Sequence, residues 1–272
     1  ACNIAIGGNS LGANTTGACN TAVGHQALKS NTDAVNNVAI GFESFCTNTT
    51  GNNNVAIGKS ALCSNTNASN NTAVGFESLK ANTTAENNTA VGRSALTTNT
   101  TGTDNVAVGC GSLTANTTAI RNTAVGKGSL TSNTTGANHV AVGAFSLGSN
   151  TTGNCNTVVG VSALYTNTTG SDNTGLGKSV LYDNTTGANN VAVGKDSLAN
   201  NTTASNNTAV GRDSLKLNTT GSFNTAIGLS ALSATTEGEN NAAIGFQAGC
   251  KITTGGENTA LGRKALENLT TG

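Results

Sequence analysis

Few side chains in this sequence are equipped for chemistry, and their spacing limits what they can do. The seven cysteines are Cys2, Cys19, Cys46, Cys63, Cys110, Cys155 and Cys250. None forms a C-x-x-C pair, so a zinc site or a thioredoxin-like motif has no basis. Cys2 and Cys19 stand 17 residues apart, as do Cys46 and Cys63. Asp196 and Asp213 share that separation. Carboxylates about 5 Å apart would suit a retaining glycosidase, but the adjacent Lys195 and Arg212 favour a solvated charge cluster. His25 and His139 are unrelated in position, and no Cys-His or Ser-His pair is evident. Asn-Thr-Thr triplets begin at Asn14, Asn48, Asn82, Asn99, Asn116, Asn133, Asn150, Asn167, Asn184, Asn201 and Asn218. Each matches the N-glycosylation acceptor pattern.

The separation of 17 is the key to the chain. Glycines from Gly7, Gly24 and Gly41 through to Gly262 recur every 17 residues without insertion or deletion, and 272 residues hold sixteen such units. Written from its asparagine, the unit is N-[TV]-A-[VI]-G-x-x-[SA]-L-x-x-N-T-T-[GA]-x-x, numbered 1 to 17. One repeat array spans 1–272. It begins at position 16 and ends at position 15 with no atypical end repeat, which predicts further chain beyond both ends. Composition agrees with a repeat and disfavours an ordinary enzyme domain. Aromatics are 3 %, Gly is 35, and Trp, Met and Pro are absent. Lys plus Arg and Asp plus Glu are 13 each, so a nucleic-acid partner is not expected. No apolar run reaches the roughly 18 residues of a membrane span.

A unit this short suits one turn of a β-solenoid better than a helical hairpin. Positions 2 to 4 read as a strand, and positions 7 to 10 and 12 to 14 as the return. The invariant glycine at position 5 predicts positive φ or a backbone approach too close for a Cβ. Position 15 is Gly or Ala, so small size matters more there than a left-handed backbone. Positions 4 and 9 are expected to supply the apolar core. Position 1, Asn except for His139, reads as a ladder of amides at a bend. Position 13, always Thr, is expected to face inward, with positions 12 and 14 outward. A core this thin predicts association along the length through the small residues of positions 3 and 8, most simply as a homotrimer. At about 4.8 Å per coil, sixteen coils would form a rod of about 75 Å.

N-V-A-I-G (Asn37 to Gly41 and Asn54 to Gly58) followed by Ser or Ala resembles the head repeats of trimeric autotransporter adhesins. That resemblance implies a left-handed parallel β-roll of three chains. The fuller unit is similar to repeats of phage and virus tail-fibre proteins and of large bacterial surface proteins.

Stacked coils would bring Cys2 to Cys19, and Cys46 to Cys63, within disulfide range; free thiols at variable surface positions are the alternative. The acceptor triplets would shield the coils with glycans, or serve only because Asn and Thr suit bends. Position 6 is a ridge of Lys, Arg and Phe: a groove edge for glycans or anionic surfaces, or a rim packing its stems on a neighbouring chain. The sequence therefore predicts an all-β parallel solenoid without cofactor, metal or catalysis. Its expected role is the shaft of an extracellular fibre on a cell or virion surface. The alternative is a solenoid that binds ice or polysaccharide through its Thr and Asn columns.

Overall fold

The structure, a computed structural model, describes residues 2–272, among which there is no helix. Sixteen strands of three residues run from Ile4–Ile6 to Thr259–Leu261. The chain divides into two compact units, one ending at Ala137 and the other beginning at Asn138. Strands Ile4–Ile6 to Thr123–Val125 belong to the first, and Val140–Val142 to Thr259–Leu261 to the second. Each unit is a parallel β-solenoid in which a residue pairs with its counterpart one repeat away. Thr21 pairs with Val38, Ala22 with Ala39 and Val23 with Ile40; Val191, Ala192 and Val193 pair with Thr208, Ala209 and Val210.

Each strand ends where it does because of position 5. Gly24 has φ +132°, and a Cβ there would lie 2.5 Å from the carbonyl oxygen of Gly41. Both predicted reasons for glycine hold. Position 15 keeps ordinary φ, in line with its tolerance of alanine.

The return differs from the expectation. Positions 7 to 10 and 12 to 14 form no strand; the first are successive tight turns and the second an irregular bend. Positions 7 and 9 are left-handed, as at Gln26 (φ 60°) and Leu28 (φ 49°), and so is position 17, as at Asn36 (φ 60°). The left-handed residues send their amides alternately to the coils on either side. Gln26 donates to Gly8 at 3.0 Å and Leu28 to Ser44 at 3.1 Å. Inter-coil bonding therefore continues through segments that are not β. Positive φ is a severe strain for β-branched residues, and Val, Ile and Thr are absent from all three columns.

The interior also corrects the expected facing. In a three-residue strand the middle side chain faces opposite to its neighbours, and here it is position 3 that points in. Ala39, Ala73 and Ala192 are fully buried, while position 4 lies on the outer surface. The small residues of positions 3 and 8 thus fill the inside of each coil and do not form an association surface. Position 9 is core, as expected: Leu62, Leu113 and Leu198 are fully buried. Position 12 faces inward, not outward, and position 13 is half-exposed rather than enclosed. Thr49 shows why position 13 is nonetheless invariant. Its amide (2.8 Å) and its hydroxyl (3.0 Å) both donate to the carbonyl of Thr66 in the next coil.

Compensating volumes confirm that positions 3 and 8 pack together. Val158 and Gly175 are the departures from alanine at position 3, and Val180 replaces Ser or Ala at position 8. A Cβ on Gly175 would lie 2.8 Å from Val180 Cγ2 and 3.3 Å from Val158 Cγ1, and valine is stiff at χ1. Gly175→Ala, although it installs the commonest residue of its column, should cost about 1–3 kcal/mol in urea unfolding. Val180→Ala in the same chain should recover most of that loss. Equal costs in the single and double variants would show that the two columns do not share one space.

Candidate functional site

Two ladders of buried amides run along each solenoid. At position 1, Asn20 Oδ1 accepts from the amide of Asn37 at 3.0 Å, and Asn37 Nδ2 donates to the Gly51 carbonyl at 2.9 Å. At position 12, Asn48 Nδ2 donates to Asn31 Oδ1 at 3.2 Å and to the same Gly51 carbonyl at 3.0 Å. The acceptor-triplet asparagines are therefore structural. Asn48, Asn82, Asn99, Asn116, Asn133, Asn150, Asn167, Asn184, Asn201 and Asn218 are fully buried, and Asn14 is half-buried. Facing inward with Nδ2 bonded, those ten have no room for a glycan in the folded coil. The missed signal was their neighbour: position 15 must be small because two amides converge on its carbonyl.

His139 takes an asparagine's place in the first ladder. Its Nδ1 accepts from the Asn156 amide at 3.1 Å, and Nε2 lies 2.7 Å from the Gly153 carbonyl. A neutral ring with its proton on Nε2 thus imitates an amide, one nitrogen standing for Oδ1 and the other for Nδ2. Burial pushes its pKa down to about 4, against the pull of the Gly153 carbonyl.

Outside the coil, the apolar residues of position 4 form a column on the sheet face of each unit. Ile40, Ile57, Val159, Leu176, Ile227 and Ile244 are 36–51 % exposed. Thr and Val of position 2 lie beside them, half-buried or exposed. Position 6, just past the corner glycine, forms a second exposed column. His25 stacks on Phe42 with centroids 5.5 Å apart, and Lys59 Nζ lies 5.8 Å from the Phe42 ring and 5.9 Å from the Phe76 ring. In the second unit Arg263 lies over Phe246 at 5.8 Å. These cation–π contacts turn the ridge into a stacked rim.

Asp196 and Asp213 are each engaged by cations. Lys195 is 3.5 Å from Asp196, while Arg212 (3.0 Å) and Lys216 (2.9 Å) hold Asp213. Partial desolvation works against the ionised form of Asp213, but the bonds from Lys216 and Arg212 leave its pKa lowered. The carboxylates are members of the charge cluster that their sequence neighbours suggested. Among the described residues, no group of three or more His, Cys, Asp or Glu side chains is placed to hold a metal ion.

All seven cysteines are thiols in this structure. Cys2 and Cys19 are exposed, with no sulfur–sulfur contact. Cys46 and Cys63 are half-buried, with their sulfurs 2.7 Å apart. The Cys46 thiol as donor stabilises a Cys63 thiolate and lowers the Cys63 pKa to about 7, while that bond and burial push Cys46 up. Cys63 is therefore the more acidic thiol of the pair.

Two measurements check these sites. With oxidised glutathione, Cys63 thiolate should displace one glutathione thiolate to give a mixed disulfide. Cys46, as thiolate, should then displace the second, so that two protons and two electrons leave the pair. Mass spectrometry after oxidation should find the Cys46–Cys63 pair two hydrogens lighter and free of glutathione, whereas the isolated exposed thiols Cys110 and Cys155 can only keep glutathione; glutathione retained on Cys46 or Cys63 would exclude the bond. The His139 test is a pH titration of stability. The unfolded imidazole titrates near 6.5 and the folded one near 4, so the unfolded state takes up the proton first on acidification. Stability is complete above about pH 6.5 and falls as the pH drops toward 4, by roughly 3 kcal/mol. His139→Asn should remove that part of the acid loss, whereas parallel profiles for the two proteins would contradict the assignment.

No protein-family model matches the chain and no curated protein matches it, so its functional reading rests on the columns themselves.

Proposed function

We propose that this chain is repeat shaft of an extracellular fibre, displayed on a cell or virion surface, with a mechanical role: it spaces and presents a tip. One observation carries the reading. Each solenoid leaves a column of exposed Ile, Val and Leu on its sheet face, with exposed Phe at position 6 two residues further along the chain, and exposed apolar surface marks a place of association. A column repeating at the coil spacing meets an identical column in register, so copies of the chain are its natural partner. Three chains packing these faces around a common axis give the trimer that the adhesin-like repeat implies. The interface then consists of positions 4 and 6, in place of the small residues now found inside the coil. Uninterrupted inter-coil hydrogen bonding within each unit suits a load-bearing part.

The ice or polysaccharide reading stands second, supported by the outward Thr column of position 2 on the sheet face, as at Thr72, Thr89, Thr157 and Thr174. Its interruption by Val38, Val55 and Val106 favours association instead.

Light scattering separates the two. The chain is 26.7 kDa, so a trimer would have a mass of about 80 kDa. Ile57→Glu with Ile227→Glu, on the outer face of each unit, should yield folded monomers with unchanged circular dichroism. A wild-type monomer at all concentrations, together with thermal hysteresis in freezing assays, would replace the shaft with the lattice-binding reading.

A further inference from the structure

The two tyrosines of the chain are not scattered. Tyr165 and Tyr182 occupy position 10 of successive coils and stack with centroids 5.5 Å apart and planes at 20°. The next residues of that column are Ala199 and Lys216. The aromatic stack therefore stops where the coil spacing would seat a third ring. An opening of 280 Å³ lies at that point, lined by Tyr182, Asp183, Asp196, Asn200 and Lys216 around Ala199. Pockets for drug-sized ligands span about 300–1,000 Å³, so this one has room for a single ring-sized group.

We infer that the slot over Ala199, between the free face of the Tyr182 ring and Lys216, binds one pyranose ring of a neutral carbohydrate. Tyr165 covers one face of Tyr182 and leaves the other toward Ala199. An aromatic face is electron-rich and attracts the weakly positive C–H face of a sugar. The polar lining selects the same ligand. The Asp183 carboxylate, the Asn200 carboxamide and the Tyr182 hydroxyl have no side-chain hydrogen bond within the protein, whereas the charges around them are paired: Lys216 with Asp213 at 2.9 Å and Asp196 with Lys195 at 3.5 Å. A free carboxylate accepts from adjacent hydroxyls, and a carboxamide both donates and accepts. A planar aromatic guest would cover Asp183 and Asn200 without offering them partners, and an anionic sugar would meet two carboxylates. The site is independent of the shaft reading: a shaft needs no single irregular slot, and the slot requires no association of chains.

The chain has no tryptophan, so its tyrosine emission arises from Tyr165 and Tyr182 and reports directly on the slot. The probes are neutral hexamers of glucose (cellohexaose and maltohexaose), of mannose and of N-acetylglucosamine. At least one should change the emission saturably, with a Kd on the order of millimolar. Asp183→Ala should weaken that binding about tenfold. Ala199→Tyr continues the existing stack into the slot, and should abolish binding in calorimetry while leaving circular dichroism unchanged. No response to any hexamer would overturn the inference. So would undiminished binding by Ala199→Tyr, or phenol binding as strongly as the sugars.

Discussion

Two asparagine side chains meeting on one backbone carbonyl hold most of the coils closed. Asn37 and Asn48 reach the Gly51 carbonyl at 2.9 and 3.0 Å from positions 1 and 12 of the same repeat. A seventeen-residue coil has little apolar interior: an alanine, a serine or alanine, and one leucine. Bent backbone inside it must still satisfy its polar groups. The amides do that work and link each coil to its neighbours, because Oδ1 of one asparagine receives the backbone amide of the next. The small residue at position 15, the inward turn of position 12 and the conformation of His139 all follow from that shared carbonyl.

The columns that hold the coil leave the others free to vary. Positions 6, 7, 10 and 11 carry lysine, cysteine, tyrosine, aspartate and glycine in turn, because no coil needs a particular side chain there. Individual character therefore resides in these columns, where neighbouring coils bring unlike residues together at a fixed spacing. The thiol pair of Cys46 and Cys63 and the interrupted stack of Tyr165, Tyr182 and Ala199 are both products of such juxtaposition. In a solenoid a local site needs only two or three consecutive substitutions in a free column, with no change to the fold beneath.

The repeat, its β-solenoid class, the glycine corner, the leucine core and the asparagine ladder of position 1 were legible from spacing alone. Facing was not. Strand alternation has two phases, and choosing the larger side chain as the inward one placed Val and Ile of position 4 in a space that holds a methyl group in nearly every coil. The decisive sequence signal was compensation among Val158, Gly175 and Val180, which only touching columns require. The return was misread because Leu, Thr and Asn permit either strand or turn. The absence of every β-branched residue from positions 7, 9 and 17 already excluded a regular strand there. The sugar slot was invisible for another reason: it is defined by an alanine, which signals nothing until the rings above it are seen to stack.

The end of the second ladder shows what the amides contribute beyond cohesion. Position 12 changes from Asn218 to Thr235, Ile252 and Leu269, and Ile252 is fully buried. Asn218 Oδ1 is left buried without a partner, since Thr235 has no amide to offer it and donates instead to the Ile252 carbonyl at 3.0 Å. The coils nevertheless continue in the same register past this point, with Ala226 paired to Ala243 and Ala243 to Ala260. An apolar side chain at position 12 is thus compatible with stacking while the position 1 ladder continues, Asn241 Oδ1 accepting from the amide of Asn258 at 3.0 Å. What an apolar column lacks is direction: it packs nearly as well when slipped, whereas an amide out of step leaves a buried donor and acceptor unpaired, at about 1–3 kcal/mol each. Repeated over thirteen consecutive coils, that penalty selects one register in a sequence whose near-identity would otherwise permit many. The asparagine ladder is best understood as the device that keeps a repetitive chain from misaligning with itself.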